Sequence, residues 1–427
     1  MPAGLIQVMT TSREDVYFTS MSDQPGQSIW KGVIRKKPNF AIEPIRMWCK
    51  SDPRLGQTFS VTIDNLGDVL AGVFVELTLT KKAGDYTAAY HPVEALFEEI
   101  TLLVDGQIVE THTSDWLRLY NTLHLPYDKS QQYTRMSNYD PEVISSGQPA
   151  TQTFWYPLTF SFCRHPGCAL PLIALRHSEV VLTFKLAAGS DVGVEDDFDL
   201  KVFGDFAYLG EHERMMLVSK PYDLLLEQVS TQVFSLPAQV PSDLNTSMFQ
   251  AKLNLFHPVK SLYWFVRGEY RTNHGRYVGD RQSVPLAYTL DVASPGGLCL
   301  VCPIPDSVMP IYETRLLFDG QERVRAMKSQ YFNRFLPFKH CIGQPVPGVC
   351  MFSFGKDLED FGPQGVCNFS NMREARLDIT FKKNVESNEP ITPTSAKDIA
   401  WLRKLVVIAW GFNILRIENG KGVVAFT

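Results

Sequence analysis

The sequence predicts an all-β chain of two tandem β-sandwiches, best fitted as eight-stranded jelly rolls with short helices and long end loops. Three observations carry that prediction. The second half of the chain repeats the order of the first. Apolar residues fall in many short runs of strand period. Gly and Pro stand singly between those runs and form no low-complexity linker.

The repeat is clearest around Leu102-Leu103-Val104-Asp105-Gly106-Gln107 and Leu316-Leu317-Phe318-Asp319-Gly320-Gln321, an offset of 214 residues (319 − 105). A short amphipathic stretch follows each copy, with Trp116, Leu117 and Tyr120 in one and Tyr331, Phe332 and Phe335 in the other. Phe160-Ser161-Phe162 is echoed by Phe352-Ser353-Phe354, and Val181-Leu182-Thr183-Phe184 by Asp378-Ile379-Thr380-Phe381. Upstream, Val61-Thr62-Ile63 leads to Val73-Phe74-Val75, as Leu253-Asn254-Leu255 leads to Trp264-Phe265-Val266. A shared order of this length implies two copies of one domain, each owning a core. The expected division is an N-terminal arm over 1–45, a first jelly roll over 46–220 and a second over 221–427.

Strand runs of alternating character are expected at 59–63, 72–80, 154–162, 179–186 and 200–209 in the first copy. Their counterparts are expected at 251–256, 262–267, 312–318, 349–354, 376–381 and 405–417. Asp105-Gly106 between apolar runs marks a two-residue hairpin across 100–109, because both turn positions need positive φ. Ser114 or Asp115 is expected to cap a short helix running to Leu123. The polar segments 124–153 and 270–310 and the acidic stretch Asp191–Asp199 read as loops, and 216–245 as the crossing between copies. Periodicity alone does not separate a jelly roll from another Greek-key sandwich.

The chain has 427 residues, 44% hydrophobic and 20% charged, which suits two domains of about 200 residues and argues against disorder. A formal net charge of −5 gives the whole chain no polyphosphate-binding signature, and no direct sequence-specific nucleic-acid partner is expected. Lys31, Arg35, Lys36 and Lys37 form the local basic run. No apolar run approaches the roughly 20 residues that span a bilayer, and the first residues lack the pattern of a secretory signal. Reduced thiols in a cytosolic compartment are therefore expected for the eight cysteines.

A search for chemistry assigns no catalytic, cofactor-binding or metal-binding residue. Cys299-x-x-Cys302 lies in a Gly-rich strand or loop context and lacks further ligands, and Cys163-Arg164-His165-Pro166-Gly167-Cys168 lies in the other copy. No two His are spaced as a metal pair, and no nucleophile elbow or phosphate loop occurs. Glu98-Glu99 and Asp196-Asp197 point to opposite faces if they lie on strands, which suits solvated charge. Asn245-x-Ser247 and Asn368-x-Ser370 match glycan sequons that need a secretory route to be used.

Several stretches together resemble the major capsid proteins of nucleocytoplasmic large DNA viruses. They are Gly4-Leu5-Ile6-Gln7 with Asp15-Val16-Tyr17, Pro166 to Leu175 with His177 and Glu179-Val180, and Phe318 to Arg323 with Tyr331-Phe332-Asn333. Pro363 to Ser370 and Asn413 to Ile417 with Gly420 and Gly422 complete the set. The likeness spans residues 4 to 422. Asn371 stands where the family often has Arg, Arg176 where Gln is usual, and 21–30 and the long loops match poorly.

The resemblance implies a non-enzymatic structural protein without cofactors: two jelly rolls per subunit and three subunits in a pseudo-hexagonal capsomer that tiles an icosahedral shell. The implied partners are further copies of the chain, minor capsid and penton proteins, and an internal lipid membrane facing the arm. Assembly is expected in the host cytoplasm and residence in the virion. The implied interfaces within a capsomer are on the order of 2,000 Å² or more, and loops 124–153 and 270–310 are expected at capsomer ends. The rival class is a tandem jelly-roll glycan-binding or glycan-hydrolysing protein, which needs convergent carboxylates, aromatic platforms and a secretory signal that the sequence does not display.

Overall fold

The computed structural model describes residues 3–9, 39–82, 92–140, 148–189, 194–236, 248–268, 311–345, 348–381 and 402–426, with Val143 and a four-residue ladder at 270–271 and 277–278. The first sandwich contains β1 (Phe40–Met47), β2 (Thr58–Thr62), β3 (Val69–Lys81), β4 (Phe97–Val104), β5 (Gln107–Thr113), β6 (Ala150–Pro157), β7 (Val180–Leu186) and β8 (Val194–Leu209). They form two antiparallel sheets in the orders β1-β8-β3-β6 and β2-β7-β4-β5. Alternation places Val73, Val75, Leu77 and Leu79 of β3 inward, against Phe97, Ile100, Leu182 and Phe184 of the facing sheet.

The second sandwich contains β9 (Tyr222–Ser235), β10 (Met248–Leu253), β11 (Pro258–Gly268), β12 (Ile311–Phe318), β13 (Gln321–Lys328), β14 (Cys350–Ser353), β15 (Ala375–Phe381) and β16 (Leu402–Glu418). Its sheets run β9-β16-β11-β14 and β10-β15-β12-β13, with β17 (Lys421–Val424) and the pair Cys367–Asn368 added to the first of them. Each strand pairs with the counterparts of its first-sandwich neighbours eight strands earlier. Two sheets of this order are a jelly roll, which settles the choice that periodicity left open.

The hairpin expected at Asp105-Gly106 forms, and Asp319-Gly320 repeats it in the second copy. Asp105 and Gly106 have φ of 50° and 78°, Asp319 and Gly320 have φ of 48° and 80°, and each pair closes a two-residue turn whose twist matches its strands. Asn419 and Gly420, with φ of 53° and 80°, make a third such turn between β16 and β17.

Other elements depart from expectation. Strand β1 starts at Phe40, inside the stretch read as arm. Pro44 obscured it, yet an edge strand tolerates Pro because one row of its backbone N–H groups needs no partner. Within 124–153 lies the helix Tyr127–Ser137, pinned by the buried Tyr133 hydroxyl on Glu94. Strand β8 begins at Val194, so Asp196-Asp197 lies on a strand, and β9 occupies much of the presumed crossing. The helix Ser114–Leu123, here α1, is capped by Thr113 one residue earlier than expected; its side chain accepts from the Trp116 N–H at 3.4 Å. Among the described residues no helix is long and apolar enough to cross a membrane.

Strands β9 and β16 join the two sandwiches. Their ladder runs from Lys404↔Ser235 to Ile417↔Tyr222. At one end Leu405 to Trp410 pack in the second core; at the other Leu224, Leu226, Leu415 and Ile417 pack in the first.

Candidate functional site

The densest concentration of unusual side chains is the seam between the sandwiches. Helix α1 follows β5 of the first sandwich and buries Leu117 there. Its Trp116, Leu119, Tyr120 and Leu123 belong to the core of the second sandwich. The Trp116 ring lies 5.2 Å from Trp410 and 6.0 Å from Tyr263, both edge-on, a geometry aromatic quadrupoles favour. His124 continues the contact, with one ring nitrogen 2.6 Å from Glu359 and the other 2.9 Å from the Tyr263 hydroxyl. The backbone N–H groups of Gly343 and Gln344 donate to the carbonyls of Leu123 and Thr122 at 2.8 and 3.0 Å.

Beside the aromatic rings runs a buried chain of alternating charge. Lys260 of β11 donates to Glu227 of β9; Glu227 also pairs with Arg164, whose guanidinium lies 3.6 Å from Glu110 of β5. Glu110 in turn contacts His112 at 2.7 Å and accepts from the Ser161 N–H and hydroxyl at 2.9 and 2.8 Å. The Lys260 ammonium sits 3.2 Å above the Trp410 ring, and Arg164 lies over both Tyr120 and Trp410. Burial draws Lys260 down to about 8 even though Glu227 opposes the shift. Burial alone would raise the Glu227 carboxyl, but Arg164 and Lys260 outweigh it and hold the group below its ordinary value. Glu227, Tyr120 and Glu110 likewise overcome the effect of burial on Arg164 and raise it. A lowered lysine inside a cleft would suggest a nucleophile. Lys260 is instead enclosed by Glu227, the Leu358 carbonyl and the Trp410 ring, so its chemistry is to join β11 to β9.

The sequence motifs weighed for chemistry resolve into local structure where they are described. Cys168 donates to the Leu225 carbonyl at 3.1 Å, and burial raises its thiol to about 12; burial also pushes the Cys163 thiol up. His165 between them stacks on Phe361 at 4.5 Å and accepts from the Gly167 N–H. Glu98 pairs with Lys185 at 3.3 Å, and Glu99 accepts from Thr101 at 3.1 Å. Asn368 accepts from the Ser370 N–H at 3.0 Å and caps a single 3-10 turn. Cys299, Cys302, Asn245 and the basic run Lys31–Lys37 lie outside the described residues. Among the described residues no group of three or more His, Cys, Asp or Glu is placed to hold a metal ion.

The seam itself went unrecognised in the sequence. Its signal was available: Glu227 follows Leu224-Leu225-Leu226, and Lys260 precedes Ser261-Leu262-Tyr263-Trp264. A single charge at the edge of such an apolar run calls for a buried partner.

Two family descriptions match the chain in tandem. "Major capsid protein N-terminus" covers 28–203, and "Large eukaryotic DNA virus major capsid protein" covers 213–423. The chain belongs to the major capsid proteins of large eukaryotic DNA viruses. It is similar to the major capsid protein of Paramecium bursaria Chlorella virus 1, 29% identical with both chains covered in full, and to that of Pyramimonas orientalis virus, 25% identical over the same share. Among solved structures, the quasi-atomic model of the PBCV-1 virus capsid aligns with a TM-score of 0.79 at 28% identity, covering 94% of this chain and 100% of that one. The Faustovirus major capsid protein shares the fold, with a TM-score of 0.68 at 11% identity, over 92% and 93% of the two chains. This major capsid protein is a structural component of the virion, not an enzyme, and assembles into an icosahedral capsid lattice. The glycan-binding alternative is thereby set aside.

Proposed function

We propose that this capsid protein works as a homotrimer whose two sandwiches per subunit give a threefold object six similar sides. One observation supports the reading above others: the two sandwiches have the same strand order and are locked together by a buried seam. Six such wedges around an axis make a nearly hexagonal block that can tile a facet by repeated lateral contacts. Closed symmetry limits the size of the block while leaving its flanks free. Lateral contacts need only be weak singly, since a lattice sums them.

The first sandwich is proposed to begin at β1, over 40–220 instead of 46–220, and the second to occupy 221–427. The residues ahead of β1 are proposed to face the capsid interior, toward minor capsid proteins and an internal membrane, with the 270–310 segment at a capsomer end. Penton proteins would close the fivefold vertices, and assembly would take place in the host cytoplasm. The test is native mass spectrometry of the purified chain. A trimer of three 48.3 kDa subunits, about 145 kDa, is expected, whereas a monomer at micromolar concentration contradicts the reading.

A further inference from the structure

The contact that α1 makes across the seam has an unused counterpart. The turn Tyr331–Phe335 runs into the helix Leu336–His340 and follows β13 as α1 follows β5. At an offset of 215 residues (332 − 117), Phe332 takes the place of Leu117, and both are buried in their own sandwiches. Trp116, Tyr120 and Leu123 then correspond to Tyr331, Phe335 and Phe338. The ring pairs repeat as well, with Trp116–Tyr120 at 5.8 Å and Tyr331–Phe335 at 5.6 Å. The difference is burial. Tyr120 and Leu123 are 9% and 1% exposed, whereas Phe335 and Phe338 are 53% and 82% exposed.

The receiving face is duplicated too. Strands β11 and β3 each carry a register irregularity against the strand beside them, at Val259/Ser261 and at Leu70/Gly72. Aligned there, Tyr263, which meets Trp116, corresponds to Phe74. Their strand partners Ile408 and Phe203 correspond as well. Phe74, Phe203 and Trp155 form an aromatic cluster on the outward face of the first sandwich, with centroids 5.3, 6.0 and 6.3 Å apart, and Trp155 is 43% exposed. Alternation puts Glu76, Asp199 and Asp205 on that face, outnumbering Lys201 and Arg46. The segment 331–340 carries Arg334, Lys339 and His340 and no carboxylate side chain, so the two surfaces complement each other in charge as well as in shape class.

We infer that Phe335 and Phe338 dock on the Phe74–Trp155–Phe203 face of a second copy of this chain, repeating between subunits the contact that Tyr120 and Leu123 make within one. The inference rests on the trimer reading and assigns its interface. The occupant is a second copy because the same fold already makes the same contact with itself, and the intersubunit seam continues the intrachain one. Three intrachain and three interchain contacts close a ring.

The experiment uses the full chain in two forms, Phe335→Asp with Phe338→Asp, and Trp155→Asp. Each alone is expected to sediment as a folded 48.3 kDa monomer, with the parent's circular dichroism and a Tm close to that of the parent diluted until it dissociates. An equimolar mixture is expected to form dimers of about 97 kDa (2 × 48.3) and no trimer, since each mixed pair retains one intact contact. A parent trimer accompanied by trimers of both forms overturns the inference and leaves the trimer reading standing. A monomeric parent overturns both. Should residues 10–38 of the same chain cover the aromatic face instead, Trp155→Asp lowers Tm while the Phe335/Phe338 form stays trimeric, which also overturns it.

Discussion

Asp105 accepts a hydrogen bond from the Glu179 N–H at 2.8 Å, tying the β4–β5 turn to the residue that leads into β7. Asp319 makes the same bond to the Glu374 N–H at 2.9 Å, leading into β15. Each aspartate also accepts a second bond, from the Ser178 hydroxyl at 2.7 Å or the Arg373 N–H at 3.0 Å. Each therefore serves twice: its backbone makes a positive-φ hairpin, and its carboxylate clamps the neighbouring loop.

Asp105→Ala and Asp319→Ala should each destabilise the chain by about 0.5–1.5 kcal/mol, the usual net worth of a hydrogen bond whose freed partners regain water. Urea unfolding of the purified protein checks this. Unchanged midpoints for both would show that the clamps carry no stability.

Glu227→Gln should cost about 3–5 kcal/mol, because it leaves Arg164 and Lys260 buried beside a neutral amide. Adding Lys260→Met should recover part of the loss by removing one stranded charge. A double variant no more stable than the single one would argue against that coupling in thermal unfolding.

The same pair sets a pH dependence. Glu227 titrates below its ordinary 4.5 in the fold, so its stabilisation is complete above pH 4.5 and is lost as pH falls through the lowered value. Lys260 titrates near 8 in the fold against 10.5 when unfolded. The unfolded chain thus binds more protons between these values, and this group makes stability rise with pH from 8 to 10.5. Urea midpoints measured at both ends of the pH scale, for the parent and for Lys260→Met, check the sign. An alkaline rise that is equally steep in Lys260→Met would remove Lys260 as its source.

Trp116→Ala should cost about 3–5 kcal/mol by opening a cavity across the seam. Phe338→Ala, on the equivalent helix, should leave the stability of the isolated subunit within about 0.5 kcal/mol. Equal losses in the Tm of dilute protein would mean that the two positions are buried alike.

Gly343→Ala should destabilise by about 1–3 kcal/mol, since a Cβ there would lie 2.2 Å from the Thr122 carbonyl oxygen and 2.6 Å from the Leu123 backbone. Differential scanning calorimetry reads the loss. An unchanged Tm would mean that the two helix-bearing loops separate without penalty.

Much of this architecture was legible in the sequence. The Asp-Gly turns, the run after each of them and the order of the strands all follow from local chemistry. Register was not. The repeat as read from sequence pairs Phe74 with Phe265, and Leu182 with Ile379. The ladders instead place Phe74 with Tyr263, and Leu182 with Leu377, because Leu102↔Leu182 answers Leu316↔Leu377. Both slips are of two residues. A shift of two leaves every side chain on its original face, so an alternating pattern cannot detect it, while a shift of one would invert the strand. The seam was hidden for a different reason. Glu110, Arg164, Glu227 and Lys260 are far apart in sequence; the β9–β16 and β11–β16 ladders bring Glu227 near Lys260, and the packing of the first sandwich against β9 adds Arg164 and Glu110.

Strand β17 closes on the first sandwich although it follows the second. Val424 packs in the first core, the Gly422 N–H donates to Ser178 at 2.9 Å, and the Gly420 carbonyl accepts from His177. During synthesis, the earlier sandwich must wait with an incomplete wall until more than two hundred further residues have left the ribosome. The earlier sandwich is thus completed last, by a strand made after those of the second.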